Sequence, residues 1–191
     1  MRGLVFTEFL EMVESAFGDD MVDTIIDVTQ PASGAAYTSV GSYDYSELEN
    51  MIAELSVQTD ISIAELLERF GRHLGAVFSE RYARFFIQAG SALCLFQQVG
   101  RHVHREVKKL YPDEELPEFS YENAAADMPF KIHYRSDRNL HMVASGLIQA
   151  AFDYYSEPHH IKTSAWQEQH KYCCTFELTP FTKESKQPHV R

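Results

Sequence analysis

The chain has 191 residues, 45% hydrophobic and 24% charged, which is the composition of an ordinary soluble globular domain. Its formal net charge of −11 argues against nucleic acid as the main partner, because phosphate binding needs a concentrated basic surface. No run of 18 or more apolar residues exists and Met1-Arg-Gly-Leu-Val-Phe6 is too short for a secretory signal, so the expectation is a cytoplasmic protein with no membrane insertion.

Residues 3–17 carry Leu4, Phe6, Phe9, Leu10, Val13 and Phe17 mostly at helical spacing, and Gly18 breaks the run. A second helix is predicted over 19–28, on Met21, Val22, Ile25 and Ile26. Pro31–Gly34 reads as a loop and 37–43 as extended and polar. Another helix follows over 45–58, with Leu48, Met51, Ile52 and Leu55 on one face. Ser62-Ile-Ala-Glu65 has the form of a capping box, opening a helix through Leu66, Leu67 and Phe70 that continues or restarts over 72–80. Residues 82–96 form one further apolar segment, and 99–110 a helix bearing His102 and His104 that closes on Tyr111-Pro112. After Pro112 the pattern changes to strands at 117–122 and 130–135, a long helix over 139–155, and a strand pair at 160–166 and 171–178. The fold class is therefore α+β: a helical half, then a mixed half with a small antiparallel sheet. Residues 181–191 form a polar tail, and no internal repeat is present.

Two features carry chemistry. The first is the histidine helix. His102 and His104 are two apart and cannot share one helix face, so only one enters a given pocket, and the apolar arc of Val99, Val103, Val107 and Leu110 does not choose between them. The second is Tyr134-Arg-Ser-Asp-Arg138. Alternation along an extended segment puts Tyr134, Ser136 and Arg138 on one face, offering two hydroxyls and a guanidinium to a pair of carboxylates. A nitrogen ligand plus a carboxylate clamp is what a protein needs to hold a haem. HExxH, CxxCH, GxxxxGK[ST] and GxGxxG patterns are all missing from the sequence. His73, beside Leu74, reads as a packed histidine, and Cys94 as a small core residue. Cys173-Cys174 lies on a strand, where one thiol faces inward and the other faces a metal or the surface, with His141, His159, His160 and His170 as available nitrogens.

In order along the chain, Met1-Arg-Gly-Leu-Val-Phe6, Ser62–Gly71, His104-Arg-Glu-Val-Lys-Lys-Leu-Tyr-Pro112, Pro117-Glu-Phe119 and the YxSxR pattern at Tyr134–Arg138 resemble the haem nitric oxide/oxygen binding (H-NOX) family. This family includes stand-alone bacterial proteins and the haem domain of soluble guanylate cyclase. The resemblance spans residues 1–180, with a distal helical part over 1–65 and a proximal mixed part over 66–180. It implies haem b, with His104 rather than His102 as the iron ligand. Pro117 would press on the porphyrin, Tyr134, Ser136 and Arg138 would hold its propionates, and Asp44 would steady the arginine.

Oxygen-binding members of that family carry a distal tyrosine nine residues after the YxSxR tyrosine, where this chain has Val143. The implied distal wall is Val5, Phe78, Val143 and Leu147, with Tyr37, Tyr43 and Gln88 as rival donors. An apolar wall implies that NO and CO bind and that no stable O₂ complex forms. The resemblance also implies signalling without catalysis, in trans, to a histidine kinase or a cyclic-di-GMP synthase or hydrolase, with NO releasing His104 from the iron. The family's bacterial zinc site is the lesser expectation here, since His141 and Trp166 stand where cysteines are usual and tryptophan cannot ligate. The rival readings are a haem enzyme, which would need a distal acid/base pair, a haem carrier, and a haem-free or zinc-containing redox-sensing interaction protein using Cys173/Cys174.

Overall fold

The structure, a computed structural model, describes residues 1–99, 116–122 and 129–180. It is an α+β fold. Four helices come first: α1 (Gly3–Phe17), α2 (Asp19–Thr29), α3 (Tyr45–Thr59) and α4 (Ile63–Arg81). Two short helices follow, α5 (Ala83–Ala89) and α6 (Ala92–Gln98). Strands β1 (Glu118–Glu122) and β2 (Phe130–Ser136) precede α7 (His141–Tyr155), and the hairpin β3 (His159–Glu168) and β4 (Lys171–Pro180) closes the fold. The histidine helix, with His102 and His104, lies outside the described residues. Among the described residues no helix is long and apolar enough to cross a membrane.

Local chemistry sets the boundaries. Gly18, at φ 89°, ends α1 with its N–H on the Glu14 carbonyl and starts α2, where Asp19 and Asp20 face the positive end of the helix dipole. The Asp44 carboxylate accepts from Ser46 N and caps α3, and Ser62 Oγ accepts from Glu65 N and caps α4. Helix α4 does not restart near residue 72 but runs through to Arg81. The apolar segment 82–96 is broken instead at Gly90 (φ 73°), and Ser91 caps α6. Residues 37–43 form no strand: a turn occupies 39–40 and Ser42 makes an isolated bridge with Arg2.

The sheet is antiparallel throughout, in the order β1-β2-β4-β3. Its inner face presents Phe130, Ile132 and Tyr134 from β2 and Cys174, Phe176 and Leu178 from β4 to α5, α6 and α7. A second core joins α1 to α4 through Phe6, Phe9, Val13, Leu48, Leu55, Leu66 and Phe70, and takes in Val143 of α7. Helices α4 and α7 cross where both carry glycine. A β-carbon at Gly71 would stand 2.2 Å from the Val143 carbonyl oxygen, and one at Gly146 2.1 Å from the Glu68 carbonyl oxygen. Both obstacles are backbone, so neither yields cheaply. Gly146→Ala is expected to destabilise the fold by about 1–3 kcal/mol, the usual cost of overpacking. A chemical denaturation midpoint equal to that of the unmodified protein would show that the helices can part freely.

Candidate functional site

Strand β2 ends at Ser136, and the chain turns over Asp137–Asn139 into α7. The alternation read from the sequence therefore holds for Tyr134 and Ser136, both buried on the inner face, while Arg138 lies in the turn beyond the strand. Tyr134 OH donates to the Arg138 carbonyl (3.1 Å), and Ser136 Oγ accepts from Arg138 N (3.1 Å). The two hydroxyls thus fix the turn that carries the guanidinium. Phe119 of β1 packs edge-on against the Tyr134 ring, at 5.5 Å between centroids. Arg135 and Asp137 are exposed on the other side, where Asp137 pairs with Lys171.

From the helical side, Tyr45 at the start of α3 lies under the Arg138 guanidinium, 5.7 Å from ring centroid to Cζ. Burial pushes both the Tyr45 and Tyr134 phenols up, so both stay protonated donors. The Asp44 carboxyl is held below its usual range, first by the hydrogen bonds from Ser46 and further by the charges of the N-terminus and Arg138. The Arg138 charge thus acts on Asp44, and the carboxylate caps α3. Nothing in the sequence marked Tyr45 except its place next to Asp44.

Val5 (α1), Phe78 (α4), Val143 and Leu147 (α7) all pack on the α1–α4 core, Val143 buried and the others half-buried. The three rival donors have other places. Tyr37 OH donates to Glu47 Oε2 (2.8 Å), Tyr43 OH donates to the Ala36 carbonyl (3.1 Å), and Gln88 is exposed on α5. Pro117 is half-buried immediately before β1. His104, the residue expected to ligate iron, lies outside the described residues.

The cysteine pair differs from expectation in one respect: both thiols are buried, although their side chains alternate across β4. Cys174 joins the inner core, and burial raises its thiol to about 11, which keeps it protonated and unreactive at neutral pH. Cys173 lies on the outer face between Arg135 and Trp166 in register. His141 points its Nδ1 at Asn139. Among the described residues neither cysteine belongs to a cluster able to hold a metal.

A helical half joined to a small antiparallel sheet is the architecture of the haem and gas sensor domains of one family. The chain belongs to the haem-NO-binding (H-NOX) family: residues 2–163 match the model of the family described as Haem-NO-binding. It is 32% identical to the Fe(II) unliganded H-NOX protein from K. algicida, over 95% of this chain and 98% of that one, with a TM-score of 0.83. A mutant of the same protein gives 33% identity over 94% and 97% and a TM-score of 0.83. A mutant of T. tengcongensis H-NOX is 18% identical with full coverage of both chains and a TM-score of 0.85, a likeness of fold. No curated protein sequence matches significantly. The family typically binds haem b and generally signals to histidine kinases or cyclic-di-GMP enzymes.

Proposed function

We propose that this protein is a haem-based NO sensor that performs no catalysis and signals in trans to a histidine kinase or a cyclic-di-GMP synthase or hydrolase. The observation that carries the choice of gas is the wall of Val5, Phe78, Val143 and Leu147: four side chains without a hydrogen-bond donor, next to tyrosines whose hydroxyls are already engaged. The donor set also suits haem b. The apolar wall matches the flat ring, and a guanidinium at the end of β2, on a turn held by the Tyr134 and Ser136 hydroxyls, matches its carboxylates. When bound, haem supplies the iron position to which a diatomic gas adds.

The protein's own groups do the rest. Arg138 neutralises carboxylate charge while Tyr134 and Ser136 hold its backbone in place. Pro117, half-buried just before β1, would press on the ring. His104 would supply the nitrogen that holds the iron, and the loss of that hold on NO binding would be the signal. A partner that prefers the state with His104 held, or the state with it released, would convert the difference into output, since a ligand shifts an equilibrium only by its differential affinity.

Gas choice tests the reading. The reduced, haem-loaded protein is expected to change its absorption spectrum with CO and with NO but to form no stable complex with O₂, because polarised oxygen gains from a donor that the wall lacks. Val143→Tyr is expected to slow O₂ loss if the ring fits without overpacking. A stable O₂ spectrum of the unmodified protein would overturn the reading.

A further inference from the structure

Between α1 and α4 lies a polar cluster that the haem site does not use. Glu8, on α1, is only 2% exposed, and its two oxygens have different neighbours. Arg81 Nη2 approaches Oε1 at 3.1 Å, a charge-assisted pair that compensates the buried carboxylate. His73 Nε2 stands 3.4 Å from Oε2. His73 is thus not the simply packed histidine that its neighbour Leu74 suggested. Glu11, three residues after Glu8 on the same helix face, is exposed and brings a second carboxylate. One ligand atom from each of Glu8, Glu11 and His73 lies within 4.8 Å of the others.

We propose that Glu8, Glu11 and His73 form a binding site for one divalent transition-metal ion of the zinc class, clamping α1 to α4. His73 Nε2 and Glu8 Oε2 are hydrogen-bonded at 3.4 Å, longer than the usual range of about 2.7–3.2 Å. Two ligand atoms each about 2.0–2.1 Å from a tetrahedral centre are about 3.4 Å apart, so the pair has the spacing of ligands that share an ion. Two carboxylates against one guanidinium leave one net negative charge on those three side chains, which attracts a dication, and an imidazole ligates through an unprotonated nitrogen. One imidazole with carboxylate oxygens suits zinc and its neighbours better than the all-oxygen shells of calcium or magnesium. The buried Glu8 is fixed in advance by Arg81, and the exposed Glu11 leaves an entry side with room for water. Glu8 follows Val5 by one turn of α1, and Arg81 follows Phe78 by one turn of α4. An ion here would tie together the two helices that carry half of the apolar wall, but the site does not depend on the sensor reading.

The test is calorimetric titration of Zn²⁺ into the full, haem-loaded chain after chelator treatment, with X-ray absorption at the zinc edge. One saturable site is expected, with a shell of oxygen and nitrogen including one imidazole and no sulfur. His73→Ala and Glu11→Gln are expected to weaken binding at least about ten-fold, as changes at a metal's ligand shell do. Glu14→Gln, one turn further along the exposed side of α1, is expected to bind as the unmodified chain does. Both test variants spare the buried Glu8, so the fold is retained. Failure to bind saturably, sulfur in the shell, or unchanged binding in His73→Ala would each overturn the proposal.

Discussion

His104→Gly is expected to lose haem on purification, with added imidazole restoring it, while His102→Ala keeps both haem content and spectrum. The two histidines are two residues apart, about 200° around a helix, so one pocket receives one of them. The resemblance to the family points to His104, seven residues before Tyr111-Pro112, as the ligand. The loss should exceed about ten-fold in bound haem, since even outer-shell changes at metal sites cost 10–100-fold in affinity. The same variant separates ligation from signalling. With imidazole it has a nitrogen on the iron but no bond that pulls on the helix, so against a partner kinase or cyclic-di-GMP enzyme it is expected to act, without NO, as the unmodified protein acts with NO. Equal haem loss from both variants would remove the ligand assignment. A rescued variant that behaves like the NO-free protein would remove helix release as the signal while leaving the ligand assignment standing.

The helices of the first half were legible because their apolar residues recur at helical spacing and two of their boundaries are conventional: Gly18 and Ser62 act where the sequence places them, while Asp44, read only as a partner of the arginine, caps α3. The break at Gly90-Ser91 was hidden because apolar residues continue on both sides of it, and only the positive φ of the glycine reveals the corner. The turn joining β3 to β4 is made by Gln169 and His170, both at positive φ, a pair with none of the Asn-Gly or Asp-Gly signature that marks such hairpins. The α4–α7 crossing was not legible either. Gly71 and Gly146 are 75 positions apart, and a single sequence does not say that two glycines face each other. In the candidate site the alternation of Tyr134 and Ser136 followed from strand geometry. Their hydrogen bonds to the backbone of Arg138, and Tyr45 beneath its guanidinium, depend on a turn and a long-range contact that periodicity does not encode. The choice between His102 and His104 came from resemblance alone, because the apolar arc of their helix serves either residue.

Arg138→Leu is expected to raise the rate of haem loss about thirty-fold, and Arg135→Leu to leave it nearly unchanged. Removing one partner of a buried, hydrogen-bonded charge pair costs about 2–5 kcal/mol, much of it the penalty of the charge left behind. Arg138 is half-buried rather than enclosed, so the low end of that range applies, and about 2 kcal/mol is about thirty-fold in an equilibrium or, if only dissociation changes, in its rate. Leucine also removes the cation over Tyr45 but leaves the backbone groups that Tyr134 and Ser136 hold, so the turn itself is expected to survive. Arg135 differs in position and not in chemistry. It is exposed on the outer face of β2, opposite Glu118 and Cys173 in register, and its guanidinium belongs to the other side of the sheet. Haem transfer to an excess of a high-affinity scavenger gives both rates directly. Raising the salt concentration should speed loss from the unmodified protein and from Arg135→Leu, and do so less in Arg138→Leu, because screening acts only on the charge pair that remains. Equal rates for the two leucine variants would show that the carboxylates lie elsewhere and that the corner at the end of β2 is a structural turn only.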